Sequence, residues 1–446
     1  MVDTETMGFL TELHKSPDIR ELAKVPLLLC LLIYHRFHNT RLPQSRFKAY
    51  DSLIEHLIAI HPRKRRSASF LTDVSSELTH DEIKRVLAHL AYYIQEHYGE
   101  GVIEHNKAIN VIEAYLKDSD HGFGFEQRES LRHSREVMEI GENMIGLLVR
   151  RSPKEVGFFH RVFQEYLAAY YLSRIPLSEQ LSIVEIHCAD PQWHETILGL
   201  FYVTSRAEDI KQFIDRIKIK LNRVNIIDRY VIDLLLCETT FGDFNCPVGL
   251  ARELAEKAFE QIELGSWMPQ RERLLQHVLD GLRSTKVKEL VKARLKNWFP
   301  CRERWRKGIF SAMANWPFVP EVIECLWKGL HDEEPHNQRA AARALADLAK
   351  GDIETGNRIA SLARNAIDSK TRTAAIECLL QGWSNHESIE FILNNARYSM
   401  SPELRLIAIL GKIQNHVQTE EDWKELVLLG SWDAGLDYHW RDDVAL

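Results

Sequence analysis

GFFHRVFQEYLAAYYL, residues 157–172, decides how the rest of the chain is read. A turn glycine leads into two phenylalanines and a histidine, and an amphipathic helix dense in aromatics then begins. Phe159, Phe163, Leu167 and Tyr170 recur at helical spacing, which assigns them to a core. His160 falls at the helix start, where backbone N–H groups lack intrahelical partners and the dipole leaves positive potential. An imidazole there either caps and packs or is aimed at a ligand. Gln164 and Glu165 could fix the hairpin and neighbouring helices, and the sequence leaves their role open.

Working outward, LLVRRSPKEVGFFH (147–160) reads as a hairpin, two short apolar strands around a polar Ser-Pro-Lys-Glu turn. THDEIKRVLAHLAYYIQEH (79–97) reads as a helix opened by a Thr79/Glu82 capping box, with Ile83, Val86, Leu87, Leu90 and Ala91 on one face. Further helices are expected at about 106–118 and 127–147. Three helices, a hairpin and a closing helix give a winged-helix order over 63–176. Upstream, in residues 1–62, Pro26 sits at a helix start, where its missing N–H does no harm. VPLLLCLLIY (25–34) predicts a fully buried helix and is too short to cross a bilayer. Leu42-Pro43 breaks that helix, and a second over about 45–60 buries Phe47, Tyr50, Leu53, Ile54, Leu57 and Ile58. RKRR (63–66) and the serine-rich run after it read as exposed connector.

The chain has 446 residues, 45% apolar and 27% charged, enough for large cores in about two to four domains. A net charge of −7 argues against a dominant nucleic-acid function. The seven cysteines are scattered without C-x-x-C spacing, which points to reduced thiols and a cytoplasmic setting. No secretory signal and no membrane partner is expected.

All ten tryptophans lie at or after Trp193, which places a change of architecture at about 175–192, where IPLSEQ supplies a breaker and a cap. Arg273, Arg306, Arg339, Arg372 and Arg405 recur every 33 residues. Two residues on stand Leu275, Gly308, Ala341, Ala374 and Ile407, and four further on Leu279, Ala312, Leu345, Cys378 and Gly411. Every member of both columns is apolar or small, as close helix contacts require. The fold class is therefore mainly α: a helical subdomain and a winged-helix domain with a small hairpin, an irregular helical array over 177–267, and a HEAT-like α-solenoid with a C-terminal tail over 268–446.

Motif chemistry is sparse. No G-x-x-x-x-G-K-[ST], dinucleotide glycine loop, H-E-x-x-H or G-x-S-x-G occurs, so no self-contained active site and no enzyme activity is assigned to this chain. His187, Cys188, His194 and Glu195 lie close in sequence, but their spacing fits no common zinc module, and no metal site is assigned. Residues 283–307 hold ten Lys or Arg against Glu289 and Glu303. There Lys292, Arg294, Lys296, Trp298, Arg302 and Arg304 would grip an acidic partner or nucleic acid, although a solvated repeat face explains them more simply.

The opening stretch resembles the F-x-H-x-x-F-Q-E-[YF]-x-A-A motif that closes the winged-helix domain of NACHT-type STAND NTPases, which include bacterial antiviral proteins and animal NOD-like receptors. The matching residues are Phe158, His160, Phe163, Gln164, Glu165, Tyr166, Ala168 and Ala169. ELAKVPLLLCLLIYHRFHNTRLPQSRFKAYDSLIEHLI (21–58) resembles the helical subdomain that follows the family's nucleotide-binding fold. The two matches span about residues 7–175 in the family's order. The resemblance implies that the Walker segments precede Val25-Pro26 in the family, so that this chain corresponds to its C-terminal part. ADP or ATP is then expected to bind only in the complete protein, and not stably to this chain alone. It also implies that His160 contacts the β-phosphate of ADP in a closed state and that Pro26 packs on the adenine. A charge-assisted bond of about 1.5–3 kcal/mol at His160 would bias the off/on equilibrium roughly ten- to a hundredfold. The implied partners are a protein trigger, such as a phage protein, on the solenoid, and further copies of the activated protein. The alternative is a free-standing HEAT-like scaffold.

Overall fold

The structure is a computed structural model. It describes residues 17–39, 45–59, 78–221, 223–241, 244–264, 286–297 and 320–430, with short pieces at 6, 8–10, 12–13, 41–43, 277–279, 281–282, 284, 310 and 313–314. The chain is mainly helical and divides into two compact units, residues 1–261 with 280–288, and residues 262–279 with 289–446.

The first unit opens with α1 (Pro17–Ala23), α2 (Pro26–Asn39) and α3 (Arg46–Ala59), which pack on one another. Pro26 is the first residue of α2, as its ring favours. The expected full burial of α2 is corrected. Leu28, Leu32 and His35 face inward, whereas Pro26, Cys30, Ile33 and Phe37 form an exposed stripe at spacings of 4, 3 and 4 residues. A continuous apolar run surrounds the whole helix, and here only one side meets the core. All six apolar residues predicted for α3 are buried.

Helix α4 (His80–His97) starts on the predicted box: the Thr79 N–H donates to Glu82 at 2.7 Å, and the Glu82 N–H donates to the Thr79 hydroxyl at 3.3 Å. Its predicted face is buried throughout. Strand β1 (Val102–Glu104), α5 (His105–Lys117) and α6 (Gln127–Glu139) follow. The helix predicted over 127–147 changes to a π turn at Ile140–Ile145 and ends at Gly146, whose φ of 74° is left-handed.

The hairpin is present as β2 (Leu148–Arg150) and β3 (Glu155–Phe158). β1 adds a third antiparallel strand, giving the order β1-β3-β2, with Val102 opposite Gly157 and Leu148 opposite Phe158. Gly157 is thus a strand residue rather than a turn glycine. A Cβ there would lie 2.6 Å from the Gly101 carbonyl oxygen, so its missing side chain is what lets β1 approach. Helix α7 (Arg161–Leu172) leaves β3 and packs against α3 and α4.

Among the described residues five helices follow: α8 (Leu177–His187), α9 (His194–Val203), α10 (Ala207–Leu221), α11 (Ile226–Phe241) and α12 (Val248–Leu264), the last running past the edge of the unit at residue 261. The expected change at 175–192 does not separate compact units, because α9 packs directly on α7. The units divide instead near 261, close to the predicted start of the repeats.

The second unit holds α13 (Lys288–Asn297), α14 (Pro320–Gly329), α15 (Pro335–Leu348), α16 (Ile353–Asn365), α17 (Ser369–Gly382), α18 (Ile389–Arg397), α19 (Pro402–Gln414) and α20 (Glu420–Gly430). Helix α15 packs on α17 and α17 on α19, with α16 and α18 as their intervening partners. The two small-residue columns fall on these contacts: Ala341 and Leu345, Ala374 and Cys378, and Ile407 and Gly411 are all buried. Leu279 is buried as well, whereas Arg273, Leu275, Arg306, Gly308 and Ala312 lie outside the described residues. Among the described residues no helix is long and apolar enough to cross a membrane.

Candidate functional site at the start of α7

His160 is the N-cap of α7, with extended backbone angles (φ −139°, ψ 139°). Its Nδ1 accepts the Val162 N–H at 3.3 Å. A nitrogen that accepts carries no proton, so the ring is the neutral tautomer with its proton on Nε2. The half-buried position lowers its pKa by desolvation, which reinforces the neutral form. Two corrections to the expected anion site follow. The imidazole offers a neutral donor at Nε2 and not a charge, because protonating Nδ1 would break the cap. The helix start also has fewer open N–H groups than an uncapped one, since the Phe163 N–H bonds the His160 carbonyl at 3.2 Å.

Every other residue of the motif is tied into the packing beneath. Phe158, Phe163, Tyr166, Ala168 and Ala169 are buried, and Phe159 stacks on Phe163 with centroids 5.0 Å apart. Tyr50 of α3 meets Phe163 and Tyr166 edge-on at 6.3 and 6.2 Å. Gln164 donates to Gln95 of α4 at 2.9 Å, and Gln95 in turn donates to the Gln192 carbonyl at 2.8 Å. This amide relay ties α7 to α4 and to the turn before α9. Arg151 supplies a group that sequence reasoning missed. Its guanidinium bonds the carbonyls of Phe158 and Phe159 at 2.8 and 3.3 Å, which brings a cation to the residue before His160. The doublet Arg150-Arg151 in the hairpin was the available signal.

Glu165 is buried, and Arg161 bonds it at 2.8 Å. Burial outweighs that partner, whose side chain is 48% exposed, and raises the Glu165 carboxyl to about 7, with the nearby Glu195 adding to the shift. Glu195 belongs to a cluster with His194, Glu238 and Arg46. Arg46 bridges Glu195 at 3.1 Å and Glu238 at 2.9 Å, and His194 meets Glu238 at 3.2 Å. His194, Glu195 and Glu238 are close enough to hold a metal ion, but Arg46 already supplies the positive charge between the two carboxylates. The arrangement is an ion-pair network joining α3, α9 and α11. His187 and Cys188 do not join it. His187 stacks on Trp193 at 3.9 Å, and burial pushes the Cys188 thiol up to about 11. Glu238 carried no sequence signal, because it lies 43 residues beyond Glu195.

Pro26 is exposed at the head of the apolar stripe of α2. The structure links it to α7 through α3, which packs on both helices. In the basic stretch, Lys292 is paired with Glu321 at 2.8 Å, so its charge is partly neutralised within the unit. Arg294 is half-buried on α13. The side chain of Lys296, and Trp298, Arg302 and Arg304 entirely, lie outside the described residues. No protein-family model matches the chain, and no curated protein matches it as a relative.

Proposed function

We propose that the chain is the regulatory and sensing region of a NACHT-type STAND protein acting in antiphage or innate immune defence. In this reading α4–α7 and the three-stranded sheet are a winged-helix domain, and α14–α20 are HEAT-like repeats whose surface takes a protein trigger. The observation that carries it is the capped start of α7. The buried aromatics and the Gln164 relay hold one helix N-terminus rigidly, and His160, alone in the motif, is half-buried with a donor at Nε2 to offer. The exposed stripe Pro26–Cys30–Ile33–Phe37 is a second support, because it gives a nucleotide-binding domain an apolar face to meet. The nucleotide, ADP or ATP, would be held largely by that domain, with His160 adding one hydrogen bond to a phosphate oxygen. A neutral hydrogen bond contributes about 0.5–1.5 kcal/mol, so the latch is weaker than a charged one, roughly two- to tenfold in affinity.

The test is His160→Asn in the protein carrying its nucleotide-binding domain. Asparagine is a good N-cap, so α7 keeps its start while the reach of Nε2 is lost. The variant should release ADP roughly two- to tenfold more readily, signal without trigger, and melt at the wild-type temperature. ADP retention equal to wild type, with the same silence before triggering, would overturn the reading.

A further inference from the structure

A groove of about 760 Å³ runs between α4 and α5, with Tyr171 of α7 also lining it. Its size lies within the range of small-molecule sites, about 300–1,000 Å³. Neither His160 nor Arg151 lines it. The groove has an aromatic wall. The His89 imidazole stacks on Tyr115 with centroids 4.1 Å apart and planes 7° from parallel, and both meet Tyr171 edge-on, at 5.1 and 6.1 Å.

The charged side chains that line it are two carboxylates, Glu104 and Asp118, and one ammonium, Lys107. Asp118 accepts the N–H groups of Asp120 and His121 at 2.8 and 3.1 Å, which holds its carboxyl below the usual range and ionised. Its charge acts on His89 and on Tyr171. Burial pushes the His89 pKa down to about 4, so that ring contributes no charge at neutral pH. Its Nδ1 is buried and has no hydrogen-bond partner among the described residues. Lys107, itself a lining residue, sets its Nζ 5.3 Å from the ring of Tyr98, which is not part of the lining.

We propose that this groove binds an organic cation, a guanidinium or ammonium group on an apolar stem. Aromatic faces attract cations through their quadrupole, and carboxylates beside them add Coulomb attraction. An anion would meet two carboxylates against the one ammonium of Lys107 and gain little. The proposal is independent of the nucleotide reading.

The test titrates the full chain with N-acetyl-arginine amide and with its neutral isostere, N-acetyl-citrulline amide, by protein-observed NMR. The arginine probe should bind in the millimolar range or better, and the citrulline probe at least about tenfold more weakly. Asp118→Asn, which still accepts the turn's N–H groups, should weaken the arginine probe about three- to tenfold. Ala114→Trp, at an exposed position of α5 that lines the groove, should abolish binding with an unchanged melting curve. Agmatine assigns the source. Equal binding points to a free amine, and much weaker binding to an arginine side chain of a partner; either keeps the proposal. Equal affinity for citrulline and arginine probes, full binding to Ala114→Trp, or no binding at about 10 mM would overturn it.

Discussion

At Glu165 burial and an ion pair pull in opposite directions, and burial wins. The folded-state pKa is about 7, against an ordinary value of 4.5. Between those two pH values the folded chain holds a proton that the unfolded chain has lost, so stability falls as pH rises through the window. This is the reverse of the usual carboxylate, whose folded pKa is depressed. The cost above pH 7 is on the order of 1–3 kcal/mol. Glu165→Gln keeps an acceptor for Arg161 and removes the charge. It should match wild type at pH 5, exceed it at pH 8, and flatten the slope between, as read by denaturant unfolding at each pH. An unchanged slope in the variant would mean that Glu165 ionises normally. His160 acts in the opposite direction, because its lowered pKa and its cap both fail as the ring protonates at low pH.

At the scale of elements, α7 and α9 approach closely where Ala169 faces Gly199. A Cβ built on Gly199 would lie 2.8 Å from the Ala169 Cβ, and neither atom can swing away without moving its helix. Alanine is a better helix former than glycine by about 1 kcal/mol, whereas overpacking a close contact costs about 1–3 kcal/mol. Packing should prevail, so Gly199→Ala is expected to destabilise by about 1–2 kcal/mol in denaturant unfolding; a gain would mean that the helices slide apart freely. The sequence makes the long amphipathic elements legible, since the faces of α3 and α4 and the Thr79 box each repeat a local period or spacing. The columns at Ala341, Ala374 and Ile407 are legible for the same reason. Strand β1 is not, because three residues carry no period and its pairing depends on Gly157 being bare. The site is legible at His160, Gln164 and Glu165 through their order alone. Arg151, Gln95, Glu238 and the His89 groove are set by contacts far apart in sequence, which no local pattern encodes.

At the scale of the molecule, the two compact units carry different chromophores. Among the described residues Trp193 alone of the tryptophans lies in the first unit, with Trp327, Trp383 and Trp423 in the second, and of the tyrosines only Tyr398 lies in the second. Tryptophan fluorescence therefore reports mainly the second unit, and tyrosine absorbance mainly the first. Each unit has its own buried core, built on α4, α7 and α9 in one and on α15, α17 and α19 in the other. Chains built this way commonly unfold in more than one step. Ala374 is buried in the contact of α17 with its neighbours, and Ala374→Leu should overpack it by about 1–3 kcal/mol. That variant is expected to lower the urea midpoint seen by tryptophan fluorescence and to leave the tyrosine midpoint in place. Gly199→Ala should do the converse. If either single change moves both signals together, the cores unfold as one, and a perturbation in the helices of the second unit is felt energetically at the start of α7.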